Sequence, residues 1–264
     1  MKKIIVVLLA LFIAVLSFSA SQVSGGAIIY QGKPVNAQTM LPFMNMEQAA
    51  KSSQIFTSPT AQISTIKAGF YQYNSPQGET FLYKCAGIIG LDYIVEIIYD
   101  GGGSGVFTSI ISVTMSGNTL YYSRDIADGD RTAGGVTSVL VTNGSVIYSQ
   151  NITPYGLMAL TGIASSHYAN LSDNMISSVG ISNSIYHFRF KKSEILSVSL
   201  SAETNNNGSK YYNLVQDKKS GVKSQQLAFE KLYNRYVGGG KSLLTKEDLK
   251  NFSINYLKYI AVKK

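Results

Sequence analysis

Val113-Thr-Met-Ser-Gly-Asn-Thr-Leu-Tyr-Tyr-Ser-Arg-Asp-Ile126 and Val139-Leu-Val-Thr-Asn-Gly-Ser-Val-Ile-Tyr-Ser-Gln-Asn-Ile152 align without gaps at an offset of 26 residues. Val113/Val139, Tyr122/Tyr148, Ser123/Ser149 and Ile126/Ile152 are identical. Each copy sets a Gly/Asn pair, Gly117-Asn118 or Asn143-Gly144, between two β-prone runs. Such pairs read as hairpin turns, because a type I′ turn needs φ > 0 at both central residues. The repeat therefore predicts two β-hairpins, and the remainder is read outward from them.

Upstream, Gly101-Gly-Gly-Ser-Gly105 is a flexible lead-in. Leu91 to Tyr99 alternates with period 2: Tyr93, Val95, Ile97 and Tyr99 on one face, Asp92, Ile94, Glu96, Ile98 and Asp100 on the other. Thr80–Ile89 and Ile63–Tyr73 read as strands around the turn Asn74-Ser-Pro-Gln-Gly78. Residues 21–62 read as an extended leader, with a short helix expected over Glu47–Phe56. Residues 1–20 have the anatomy of a secretory signal peptide: Lys2-Lys3, the apolar run Ile4–Leu16, then small residues. That run is shorter than the roughly 20 residues of a membrane span.

Downstream, Leu157, Leu160 and Ile163 recur at helical spacing, and Asp173–Val179 suggests a second short helix. This is a helical insertion near 154–179. Strands resume at Ser184–Phe190 and Ile195–Glu203, with a turn at Lys191-Lys192-Ser193 and a further strand at Tyr211–Val215. The segment 221–264 reads as two helices, Gln225–Tyr236 and one opened by the capping box Thr245-Lys-Glu-Asp248. Its apolar stripe is Leu249, Phe252, Ile254, Tyr256, Leu257 and Ile260. The fold class is α+β: a mostly antiparallel sheet carrying the hairpin repeat 113–126/139–152, a helical insertion and two C-terminal helices packed on a β-rich body of residues 63–220.

The chain of 264 residues has 18 Tyr and 11 Phe but no Trp, and a single cysteine, Cys85. One cysteine allows no intramolecular disulfide. With the short signal and the Lys/Asn/Ile-rich composition it points to a bacterial protein exported to the periplasm or the medium. Charge is uneven. Residues 21–188 carry 6 basic and 9 acidic side chains; residues 189–264 carry 15 and 6. The basic region either packs on the acidic body or meets an anionic surface, membrane or glycan rather than nucleic acid.

Two carboxylate groups are candidate sites. Asp125, Asp128 and Asp130, read as a loop joining the repeats, could wrap a hard cation, although the spacing is not that of an EF-hand and Arg124 and Arg131 could neutralise them. Asp92, Glu96 and Asp100 share one strand face, about 13 Å apart per four residues. A partner from a neighbouring strand would complete a glycosidase-like pair; the plainer reading is a half-solvated sheet face that docks the basic helices. His167 and His187 lack compact zinc partners. Cys85, among Leu82, Tyr83, Ala86 and Ile88, reads as a buried inert thiol. No phosphate loop, dinucleotide fingerprint or nucleophile elbow is present, and no cofactor is implied. The favoured function is non-catalytic binding of a protein, glycan or other envelope component. The alternatives are a carboxylate-based glycan or peptidoglycan hydrolase and a membrane-active β-hairpin toxin, the latter suggested by the alternating run Val106–Met115.

Overall fold

Both repeats fold as antiparallel hairpins, and they belong to different sheets. The computed structural model describes residues 26–44, 53–55, 65–66, 69–102, 105–131, 133–171, 178–200 and 220–261. The strands are β1 (Ile29–Tyr30), β2 (Lys33–Pro34), β3 (Ser53–Ile55), β4 (Thr65–Ile66), β5 (Phe70–Asn74), β6 (Thr80–Ile89) and β7 (Asp92–Asp100). After them come β8 (Val106–Ser116), β9 (Thr119–Asp130), β10 (Val136–Thr142), β11 (Ser145–Ile152), β12 (Gly180–His187), β13 (Lys192–Leu200) and β14 (Leu243–Leu244). The α-helices are α1 (Pro154–Leu160), α2 (Ser220–Gly238) and α3 (Lys246–Ala261), with 3-10 helices at Ala37–Met44 and Ser165–His167. The class is α+β.

The first sheet has seven strands in the order β3-β9-β8-β7-β6-β5-β4; the second has five, β10-β11-β12-β13-β14. Both are largely meanders, because most consecutive strands are joined by short turns. The repeat hairpins are β8–β9 and β10–β11. Their turns differ from the expected type I′. Only the glycine of each pair has positive φ, Gly117 at 57° and Gly144 at 77°. Gly-Asn thus takes the sign pattern of a type II′ turn and Asn-Gly that of a type II turn. Positive φ at both central residues occurs instead at Gln31-Gly32 between β1 and β2 (48° and 76°).

Alternation along β7 separates two cores. Tyr93, Val95 and Ile97 point to one side of the first sheet, joining Phe81, Tyr83, Cys85, Ile111, Val113 and Leu120. That side is covered by the N-terminal segment through Ala27, Ile28, Val35, Met40 and Phe43. Residues 37–41, read as extended, are in fact part of the 3-10 helix, whose Ala37, Met40 and Phe43 are buried. Ile94 points to the other side and joins Ile110, Ile126 and Ala127 against Val136, Val146, Tyr148 and Tyr186 of the second sheet. Toward the other end of the same face of the second sheet, Ile152 and Leu200 oppose Gly180 and Val198 opposes Ser182, in alternation with Tyr186. There they are buried against Leu157 and Met158 of α1, Phe229, Leu232 and Tyr233 of α2 and Leu249, Phe252 and Tyr256 of α3. The N-terminal segment and the second sheet cover the two sides of the first sheet, and the first sheet and the helices share one face of the second.

The β9–β10 connection moves the chain from one sheet to the next. Asp130 N donates to Ala133 O, and Asp130 Oδ1 accepts from Ala133 N at 2.7 Å. Gly134 N donates to Asn151 O and Asn151 N to Gly135 O. A Cβ on Gly129 would overlap Gly134, and one on Gly135 would overlap Asp130. The corner therefore needs its glycines because two backbones cross there.

Further differences from the sequence reading concern boundaries. Asp125 and Asp128 lie within β9, and Asp130 ends it. Ser53–Ile55 is a strand on β9 rather than helix end; the rest of the expected helix over 47–56 lies outside the described residues. So do the signal segment, most of the second insertion helix and the strand at 211–215. Lys192 and Ser193 belong to β13 rather than to the turn. The capping box forms, with Thr245 N donating to Asp248 Oδ2 (3.1 Å) and Asp248 N to Thr245 Oγ1 (3.3 Å). Ile254, expected in the buried stripe, is exposed. The helices cover β13 and β14, so their lysines do not meet the carboxylates of β7.

Candidate functional site

An open groove of about 910 Å³ lies on the N-terminal side of the first sheet. Leu41 and Met44 of the 3-10 helix form one wall, Tyr99 of β7 and Phe107, Thr108 and Ser109 of β8 the floor, and Glu79, Asp128, Asp130 and Ala133 the rim. The register explains the floor. Tyr99 opposes Phe107, and Ser109 opposes Asp128. Residues directly opposed across an antiparallel pair project to the same face. The rings of Tyr99 and Phe107 stack with centroids 6.4 Å apart, and Phe107 remains 45% exposed. Tyr99 donates its hydroxyl to Glu79 Oε1 at 2.7 Å. That bond, with smaller contributions from burial and from the Glu79 and Asp100 charges, raises the Tyr99 pKa. Ser109 Oγ lies 3.7 Å from the sulfur of Met44, tying the floor to the wall.

Asp125 sits farther along the same face of β9. Two register shifts, next to Ile111 and Val113, pair Asp125 with Ile111 of the N-terminal core. Burial pushes its pKa up to about 6, the charge of Asp128 pushes the same way, and a backbone hydrogen bond at Ile126 opposes them. One oxygen, Oδ1, is buried without a hydrogen-bond partner among the described residues. The nearby Tyr122 hydroxyl is also raised, first by burial and then by Asp125 and Asp128. Bulges in β9 are what place several acidic residues on one face of a single strand, since regular alternation would divide Asp125 from Asp128.

Asp92, Glu96 and Asp100 follow the face of β7 opposite Tyr99. Glu96 is 9% exposed, and its register partners are Lys84 and Ile110. Burial raises its pKa, and Lys84 partly offsets that. Asp92 accepts from Ser112 Oγ at 2.5 Å, and Asp100 accepts from Gly102 N at 3.0 Å. β6 and β8, the two neighbours of β7, contain no Asp or Glu, so no second carboxylate stands directly beside these three. Among the described residues no three His, Cys, Asp or Glu side chains converge closely enough to hold a metal ion. The structure brings Asp128 and Asp130 to one groove, leaves Asp125 beside it, and keeps the β7 carboxylates apart.

Glu79, Tyr99 and Phe107 are the groove residues that sequence reasoning missed. A signal was present: five residues join β7 to β8, and pairing Tyr99 with Phe107 across them puts both rings on one face. Cys85, in the middle of β6, is 2% exposed. Its thiol donates to Gly87 O at 3.4 Å, and burial pushes its pKa up to about 11. His167 and His187 lie on the helical and second-sheet layers, away from the groove; His187 Nε2 stands 3.8 Å from Glu194.

The fold and the groove together define an α+β protein of two stacked antiparallel sheets with an acidic, aromatic-floored cleft on its outer face. No family model, curated protein or solved structure matches the chain.

Proposed function

We propose that this is an exported, non-catalytic β-rich protein that binds a glycan-like ligand in the groove beside Tyr99 and Phe107. The carrying observation is the composition of that groove: a stacked aromatic pair on the floor, carboxylates on the rim, and no Lys or Arg among the described lining residues. Aromatic rings offer a flat apolar surface to the C–H face of a sugar, and carboxylates accept hydrogen bonds from its hydroxyls. The rim repels anionic ligands. Isothermal titration with neutral oligosaccharides of the bacterial envelope tests the reading. Phe107→Ala should weaken binding about tenfold or more, roughly 1.4 kcal/mol, without altering the melting temperature, because the ring is half exposed. Equal affinity in wild type and variant would remove the groove as the site. N-terminal sequencing of protein from periplasm or medium tests export, with loss of about 20 residues expected.

A second reading, a carboxylate hydrolase, draws on Asp125 and Asp128. A carboxyl held near pKa 6 with a second carboxylate close by is the kind of pair that general acid and base catalysis uses. On this reading Asp125→Asn and Asp128→Asn each abolish turnover of peptidoglycan fragments; unchanged turnover in both eliminates it.

A further inference from the structure

The outer face of the helix layer carries charge that the fold does not use. Residues 220–261 hold seven Lys or Arg and three Asp or Glu. Lys241 is taken up by Asp248 and Lys246 by Glu194. Lys231, Arg235, Lys250 and Lys258 are exposed and enter no ion pair among the described residues. Lys250, Ile254 and Lys258 follow one another at helical i, i+4, i+8 spacing, a line about 12 Å long on α3. Ile254 at its centre is 42% exposed, on the side away from buried Leu249, Phe252 and Tyr256. Lys231 of α2 lies over the ring of Tyr259 of α3, 4.9 Å from its centroid. One cation of α2 is thus held against α3.

We propose that this face docks on a bilayer surface rich in anionic phospholipid, with Lys231, Arg235, Lys250 and Lys258 among the headgroup phosphates and Ile254 pressed between them. The apolar stripes of both helices are already buried in the core, so the contact is peripheral and electrostatic rather than insertion of an amphipathic helix. Cations on long flexible stems around one apolar side chain suit a laterally mobile field of phosphates, which can rearrange to meet each charge. A rigid acidic protein would need a fixed counter-charge opposite each.

Vesicle co-sedimentation of the full chain tests the proposal, using equal parts phosphatidylglycerol and phosphatidylcholine against phosphatidylcholine alone. Wild type should bind the anionic vesicles at low salt, release at high salt, and ignore the neutral ones. The triple variant Lys231→Gln, Lys250→Gln, Lys258→Gln should partition about a hundredfold more weakly, at about fivefold for each charge removed. A charge-matched control, Lys33→Gln, Arg131→Gln, Arg189→Gln, removes exposed cations elsewhere and should bind like wild type. Far-UV circular dichroism and thermal melting establish that both variants are folded. Equal loss in the control would show a response to net charge alone and overturn the assigned face. Undiminished binding by the folded triple variant, equal binding to neutral vesicles, or no binding by wild type would each overturn the docking itself.

Discussion

Asp125 shows most directly what a residue's surroundings do to its chemistry. Its carboxyl is raised from an ordinary value of 3.8 to about 6, chiefly by burial and then by Asp128. A folded-state pKa above the unfolded one means that the native state holds the proton longer. Stability is then full below pH 4 and is lost as pH rises through about 6. Asp125→Asn should remove that slope and stabilise the protein at pH 7.5 by about 1 kcal/mol, once solvent screening of a half-buried group is allowed for. Urea melts of both proteins at pH 5 and pH 7.5 measure the difference; an identical pH slope in the variant would contradict it. Cys85 is the opposite kind of residue. Buried, and with its thiol held at about 11, it should resist alkylation in native protein and react only on unfolding. Cys85→Ser should cost about 1 kcal/mol. The burial of Cys85 was legible from its apolar neighbours. The setting of Asp125 was not, because it depends on bulges that only cross-strand pairing reveals.

At the scale of elements, the packing of the two sheets rests on one small residue. Gly87 follows a register shift in β6, and a Cβ there would lie 2.7 Å from Cβ of Val141 in β10. Gly87→Ala should destabilise by about 2 kcal/mol through overpacking. Val141→Ala opens the space, so the double variant should recover about 1 kcal/mol of that loss. Strict additivity in the thermodynamic cycle would show that the two side chains do not meet. At the start of α3, Thr245→Ala removes the acceptor for Asp248 N and should cost about 1 kcal/mol. This cap was readable from Thr-x-x-Asp, since a capping box is a local hydrogen-bond pattern. The turns were misjudged for a comparable local reason. Asn tolerates positive φ without requiring it, and in each hairpin the glycine, which has no Cβ to clash there, took it.

For the whole molecule, the helices are a structural layer of the second sheet. Phe229, Phe252 and Tyr256 are fully buried in the cluster that holds Ile152, Val198 and Leu200. Tyr233 donates to Val179 O at 2.8 Å and Tyr256 to His167 O at 3.1 Å, fastening the helical insertion to the same layer. A chain ending at residue 219 should therefore lose cooperative melting, bind a hydrophobic dye and aggregate. Calorimetry showing a sharp transition in that truncation would mean that the two-sheet body stands without its helices.

The sequence by itself determined most of the long strands, the hairpin repeat, the α+β class and the cap of α3. Each follows from interactions within a dozen residues: period-2 alternation, a glycine turn, a reciprocal side-chain bond. It also marked both acidic groups as chemically notable. Tertiary structure decided that two similar hairpins enter different sheets, because the crossing at Gly129, Gly134 and Gly135 is a contact between backbones. It decided that both faces of β7 are covered, which buries Glu96. It brought Glu79, Tyr99, Phe107 and Asp128 to one groove from four separate stretches of chain. Alternation says which residues share a face. What lies across from that face is set by pairing register and layer order, and those arise from contacts between residues far apart in the chain.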